Sequence, residues 1–179
     1  MTYDPSAESL ALLQHGVRDD PVQLSRRRRW AALAVDVDGD VACTLFAVRG
    51  PGHVRLETHA LAREDTGWRR LGGGGAGTDE ADVLADRPDP GVLGAPVVVL
   101  SSGSVLRNAD RLVPWGARYV HHTVLRASTA VATVALGARL LPVPRHGYLV
   151  VVWGGRRAPA LTARDAEGQA VGGLRVRAP

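Results

Sequence analysis

The chain has no lysine and no isoleucine, and Cys43, Phe46 and Asn108 are the only residues of their types. Each gap removes a class of function. A Walker-type phosphate loop needs a Lys to contact the phosphates, and this chain has none to offer. A single Cys excludes an intramolecular disulfide and suits a reducing compartment. Cys-x-x-Cys and His-x-His pairs are missing, so a structural zinc site is not expected. No apolar run approaches the ~18 residues that a membrane-spanning helix needs. The acidic start MTYDPSAESL lacks the basic region of an export signal. The internal RRRRWAALAV has the charge-then-apolar order of such a signal, but Asp36, Asp38 and Asp40 cut it short. A cytoplasmic location is the expectation.

What is present is ordinary in amount and unusual in choice. The chain has 179 residues, 45% of them hydrophobic and 22% charged, enough for one sizeable domain. All 22 basic residues are Arg. Such a choice follows from codon usage in a GC-rich genome, so the basic pI of 10.2 does not by itself point to nucleic acid. The charge is unevenly spread. Residues 1–25 set Arg18 against Asp4, Glu8, Asp19 and Asp20, whereas residues 116–179 carry a net +7.

Residues 4–16 read as a helix, with Asp4 to cap it, Pro5 at its first position and Gly16 to end it. Leu10, Leu13 and Val17 are its expected apolar stripe. From Trp30 the period changes to two. Asp38-Gly39 suits a two-residue hairpin turn between two apolar runs. HVRLETHALAR at 53–63 adds a third strand, and GWRRL at 67–71 a possible fourth. Residues 72–95 hold seven Gly, two Pro and five acids, and read as a loop or linker with one helical turn at 79–85. Strand-like runs follow at 95–105, 117–128, 130–136, 138–144 and 148–153, with a closing hairpin over 160–176. The organisation expected is a helix and connector (1–25), a β-meander (26–71), the glycine-rich joint (72–95) and a β-rich half (96–179). Short strands without strand–helix alternation predict a mainly β fold, an antiparallel β-sandwich with a short N-terminal helix.

The glycines Gly72, Gly74 and Gly77 match the spacing of a dinucleotide-binding loop. That loop needs a buried strand before it and a packed helix after it. Here Arg69 and Arg70 precede it, while Asp79, Glu80 and Asp82 follow and would repel a phosphate. The alternating Asp36, Asp38 and Asp40 fit a hairpin turn, or a loose Ca²⁺ site at its tip. An EF-type loop fails, because Val41 and Ala47 stand where it needs Gly and Glu. His121 and His122 are strand neighbours that face opposite ways and cannot share a metal. Either one near Asp110 or a Ser offers a general base for a small hydrolase or metal-dependent enzyme. A half-buried structural His is the alternative. Ser101, Ser102 and Ser104 lack the Gly-x-Ser-x-Gly elbow. No cofactor is expected, and Cys43 reads as a buried thiol.

The densest charge is Arg26, Arg27, Arg28 and Arg29, followed by Trp30. This run suits contact with an acidic partner or a polyanion. Only Trp30 interleaves an aromatic with it, so the stacking pattern of nucleic-acid modules is thin. Asp19 and Asp20 nearby offer charge in cis.

The C-terminal run STAVATVAL, GARLLPVP, HGYLVVVW and ARDAEG resembles segments of uncharacterised immunoglobulin-like β-sandwich proteins of GC-rich bacteria. The resemblance covers residues 117–177 and rests on turn glycines and a closing hairpin. It implies a sandwich and carries no activity or site residue. The expected function is a non-enzymatic binding or assembly module that works through protein–protein contact, self-association included. Nucleic-acid or polyanion binding is the alternative through Arg26–Arg29 and the C-terminal arginines.

Overall fold

The computed structural model describes residues 2–18, 20–109 and 116–176. The fold is mainly β and antiparallel, as expected, with one N-terminal helix, α1 (Pro5–His15). Asp4 caps α1, accepting from the Ser6 and Ala7 amides at 2.9 and 3.2 Å, and Gly16 ends it at φ 72°. The buried face of α1 is Ser9 and Leu12 rather than the expected Leu10–Leu13–Val17 stripe. Leu10 is exposed, and Val17 packs only partly. The cause is polar: Ser9 is inserted into a hydrogen-bond network below the helix and sets its rotation.

The first sheet is the expected meander: β1 (Trp30–Asp38), β2 (Val41–Arg49), β3 (Val54–Glu64) and β4 (Gly67–Thr78), in that order. The first hairpin turns on Gly39-Asp40, one residue later than expected. Only Gly39 has a positive φ, the pattern of a type II′ turn. The larger correction is β4. The glycine run read as part of a loop is the second half of this strand, paired with β3 from Gly67 to Thr78. A side chain at Gly73 would collide with the Thr58 carbonyl, and one at Gly75 would stand 3.2 Å from that of Leu56. Close approach to β3 therefore selects glycine at these two positions, not flexibility. The expected helical turn follows as α2 (Glu80–Leu84), then α3 (Pro90–Leu93).

The second sheet has the order β5 (Val97–Leu106), β6 (Tyr119–Ala127) and β9 (Tyr148–Trp153). The third holds β7 (Thr133–Leu136), β8 (Arg139–Pro142), β10 (Ala160–Arg164) and β11 (Ala170–Arg175). The second sheet is the middle layer. Val120, Val124, Val150 and Val152 share a core with Val41, Leu45 and Val54 of the meander. Their strand neighbours Leu125, Leu149, Val151 and Trp153 share another with Val134, Leu136 and Leu161 of the third sheet. The sheets stack face to face as in a sandwich, with one more layer than its two. The added layer explains why β9 is buried at every position and shows no apolar–polar alternation. On the far side of the meander, Leu12 of α1 packs on Phe46 and Val48.

Candidate functional site: an arginine-lined depression at the open end of the first hairpin

The geometry starts from the hairpin register. The Gly39 turn folds β2 onto β1 and places Trp30 opposite Val48. Arg29 lies just before β1, and Arg49 ends β2, so pairing makes them neighbours. The Arg49 amide donates to the Arg29 carbonyl at 2.7 Å, and Arg29 Nη2 donates to the Arg49 carbonyl at 3.2 Å. Upstream, Ser25 shapes a turn by accepting from the Arg27 and Arg28 amides at 3.3 and 2.9 Å. That turn brings Arg26 beside Arg29.

Two shallow depressions meet here and share Arg29 and Arg49. One, of about 330 Å³, is lined by Arg26, Arg29, Arg49 and Gly50. The other, of about 310 Å³, is lined by Thr2, Tyr3, Arg29, Trp30, Val48 and Arg49. Arg26, Arg27, Arg28 and Arg29 are all exposed. Among the described residues none of the four pairs with a carboxylate, Asp20 included; Asp19 lies outside those residues. Glu80 at the start of α2 stands 3.4 Å from Arg49 and is the counter-charge at the rim. The structure thus unites Arg26, Arg29 and Trp30 of the expected run, adds Arg49, and leaves Arg27 and Arg28 outside the depressions. Arg49 was the residue that sequence reading missed. The Asp38-Gly39 turn signal carried its position, because the turn fixes which residues end up opposite.

The aromatic groups here, Tyr3 and Trp30, are half-buried. Tyr3 lies 5.4 Å from the Trp30 ring and 6.0 Å from Phe46, in the cluster that seats α1. Burial and the nearby Glu57 raise the Tyr3 hydroxyl well above its ordinary pKa. Both rings pack in this cluster and still present part of their surface to the depression.

Beneath α1 lies a second polar cluster, which sequence reading did not find. Ser9 Oγ donates to the Pro5 carbonyl at 2.6 Å, and it lies 2.8 Å from His59 Nδ1 and 3.0 Å from Thr44 Oγ1. With its one hydrogen given to Pro5, Ser9 accepts from His59 Nδ1–H. His59 Nε2 then faces Tyr3 Oη at 3.5 Å and Glu57 Oε2 at 3.7 Å. Burial, with the Arg70 charge behind it, lowers His59 to about 4 and keeps it neutral. Serine, imidazole and carboxylate in series look like a hydrolytic chain. Ser9 is fully buried and its hydrogen is already committed, so the cluster anchors α1 and has no access to a substrate.

The other sequence candidates are dispersed. Asp36 Oδ1 and Oδ2 each accept from Arg139 Nη1 at 2.9 Å, and the amides of Val37 and Val152 donate to it at 2.9 and 2.8 Å. Burial raises this carboxyl above its ordinary pKa against the pull of those donors. Asp38 faces Arg139 at 3.9 Å. Asp40 pairs with Arg107 at 2.6 Å, which lowers its pKa. The three carboxylates are thus directed to arginines. Among the described residues, no three His, Cys, Asp or Glu side chains come together as a metal set.

His121 and His122 do point to opposite faces of their sheet, with only His122 directed at the meander. His121 Nδ1 lies 2.6 Å from Ser104 Oγ across the β5–β6 ladder, and its ring stacks between Tyr119 and Trp153. No carboxylate among the described residues backs it, and Asp110 lies outside them. His122 Nε2 lies 3.1 Å from Thr58 Oγ1, and burial lowers His122 to about 4. Cys43 is fully buried, and desolvation raises its thiol far above the ordinary range. Among the described residues no helix is long and apolar enough to cross a membrane.

Comparison with protein families, curated proteins and solved structures finds no match to this chain.

Proposed function

We propose that this protein is a non-enzymatic binding module that docks an acidic segment of a protein partner on Arg26, Arg29 and Arg49. The observation that carries the reading is the union of Arg49 with two arginines twenty or more residues away, in depressions whose rim holds one carboxylate, Glu80, among the described residues. Guanidinium groups clustered this way suit carboxylates, which they can grip with two parallel hydrogen bonds. Nucleic acid is less well served, because Tyr3 and Trp30 pack on each other and with Phe46 and offer only part of their faces to the depression.

The test is fluorescence anisotropy with two labelled probes of equal charge, a Glu/Asp-rich peptide and a single-stranded oligonucleotide. The peptide is expected to bind more tightly, and the triple Arg26/Arg29/Arg49→Ala variant to lose it. Tighter oligonucleotide binding through the same arginines would replace this reading with polyanion recognition.

A further inference from the structure

The meander and the middle sheet meet along two seams. At one, β1 lies against β9 and Asp36 carries the junction. At the other, β4 and β5 approach each other as the terminal strands of their sheets. No backbone hydrogen bond joins them among the described residues. They come close at Gly72, where an added methyl would stand 3.2 Å from Val105 Cγ1. Beyond it lies a cleft of about 280 Å³ lined by Leu56, Thr58, Gly74, Leu100, His122 and Val124.

Three features of the cleft describe its occupant. First, β4 and β5 bound it as the terminal strands of their sheets, over a floor of β3 and β6 side chains. At Gly74, Thr58 Oγ1 accepts from the amide at 3.3 Å and donates to the carbonyl at 3.2 Å. Sheet edges are ordinarily guarded by charge, proline or a bulge. Residues 72–78 carry no charge and no proline, and the β3–β4 bulge lies outside them, at Ala60/Leu61. The β5 edge has a bulge between Val99 and Ser101, so β4 is the better template. Second, the fold does not demand glycine at position 74. Its φ is not positive, and a methyl there would sit 3.9 Å from Thr58 Oγ1, an ordinary contact. The missing side chain keeps the cleft open.

Third, His122 lines the cleft, is 6% exposed, and has no hydrogen-bond partner at Nδ1. Thr58 Oγ1 donates to the Gly74 carbonyl at 3.2 Å, so it accepts from His122 Nε2–H and leaves Nδ1 as an unused acceptor. Its volume of about 280 Å³ suits a few side chains of a strand.

We propose that the cleft takes an extended, uncharged peptide segment of a partner protein. The segment adds to the free edge of β4 and lays apolar side chains on Leu56, Leu100 and Val124. A hydroxyl or amide donor in the segment complements His122. This site is separate from the arginine depression and stands without it.

The test uses the full chain and an array of capped heptapeptides that alternate Val or Leu with Ser, Thr or Asn and carry no charge. Gly74→Leu fills the cleft, and Leu100→Arg places a charge where the side chain is 45% exposed. The wild type is expected to select peptides that both variants bind roughly tenfold or more weakly. Amide exchange at residues 72–78 should slow in the complex. Equal binding by wild type and variants, no binding to the array, or protection elsewhere than β4 would overturn the proposal. If Gly74→Leu does not fold, Leu100→Arg decides, because an exposed edge position tolerates the change.

Discussion

Asp36 on β1 and Arg139 on β8 join all three sheets through one ion pair. Both carboxylate oxygens lie 2.9 Å from Arg139 Nη1, and the same carboxylate accepts the Val152 amide of β9. Arg139 returns bonds to the carbonyls of Val37 and Val152, each at 3.0 Å. The pair stands where β1 and β9 run side by side without a ladder, and it replaces the missing backbone bonds. Asp36 is 3% exposed, so removing its partner strands a buried charge. Arg139→Met is predicted to cost about 3–5 kcal/mol, as broken buried pairs do. Urea denaturation measures it, and a loss under 1 kcal/mol would show that the pair does not hold the seam.

The helix anchor makes a second prediction. Ser9→Ala leaves His59 Nδ1–H and the Thr44 hydroxyl without their buried partner. The expected loss is about 1–3 kcal/mol. Amide exchange should speed up first in residues 5–15, because this face holds α1 to the meander. Unchanged exchange there would contradict the anchoring role.

Acid should weaken the fold before the paired carboxyls of Asp40 and Asp86 titrate, while the raised Asp36 carboxyl works in the opposite sense. His59 and His122 are held near 4 in the native state, against an ordinary value of 6.5. The unfolded chain therefore binds more protons below pH 6.5, and stability falls as pH drops from 6.5 towards 4. Full expression of each shift is worth on the order of 3 kcal/mol. The lowered carboxyls of Asp40 and Asp86, paired with Arg107 and Arg145, add their losses only below about pH 4. Denaturant midpoints measured from pH 7 to 4.5 should decline steadily. A flat profile across that interval would mean that the two rings become charged without cost.

Cys43 should be inert in the native protein. It is fully buried and its thiol is pushed up by desolvation. A thiol reagent is expected to label it only as the chain unfolds. Rapid labelling under native conditions would contradict the packing of β2.

Much of this fold was legible in the sequence, because local chemistry and tertiary contact agree over most strands. Asp4, Pro5 and Gly16 marked α1 to within a residue, and YLVVVW marked β9 at both ends. The glycine strand was not legible. Local propensity reads Gly72–Gly75 as a joint, whereas pairing with β3 makes it a strand and crowding by Thr58 and Leu56 selects glycine at positions 73 and 75. The third layer was hidden for a related reason: a strand covered on both faces loses the alternation that tells which face is buried. At the candidate site, the arginine run was visible. Its completion by Arg49 depended on hairpin register, and the packing of Trp30 with Tyr3 and Phe46 depended on tertiary contact.

Position within the arginine run should matter more than its total charge. Arg27 and Arg28 lie outside the depressions that Arg26, Arg29 and Arg49 line. Arg27/Arg28→Ala is expected to keep most affinity for the acidic peptide, while Arg26/Arg29→Ala should lose about tenfold or more. Equal losses would point to a diffuse charge effect without a site.

The most direct measurement of the binding account is a charge exchange. The Arg26/Arg29/Arg49→Glu variant is titrated with the Glu/Asp-rich peptide and with an Arg-rich peptide of the same length. The account predicts that the variant loses the acidic peptide and gains the basic one, each with an affinity that falls as salt is raised. Retention of the acidic peptide by the variant would contradict it.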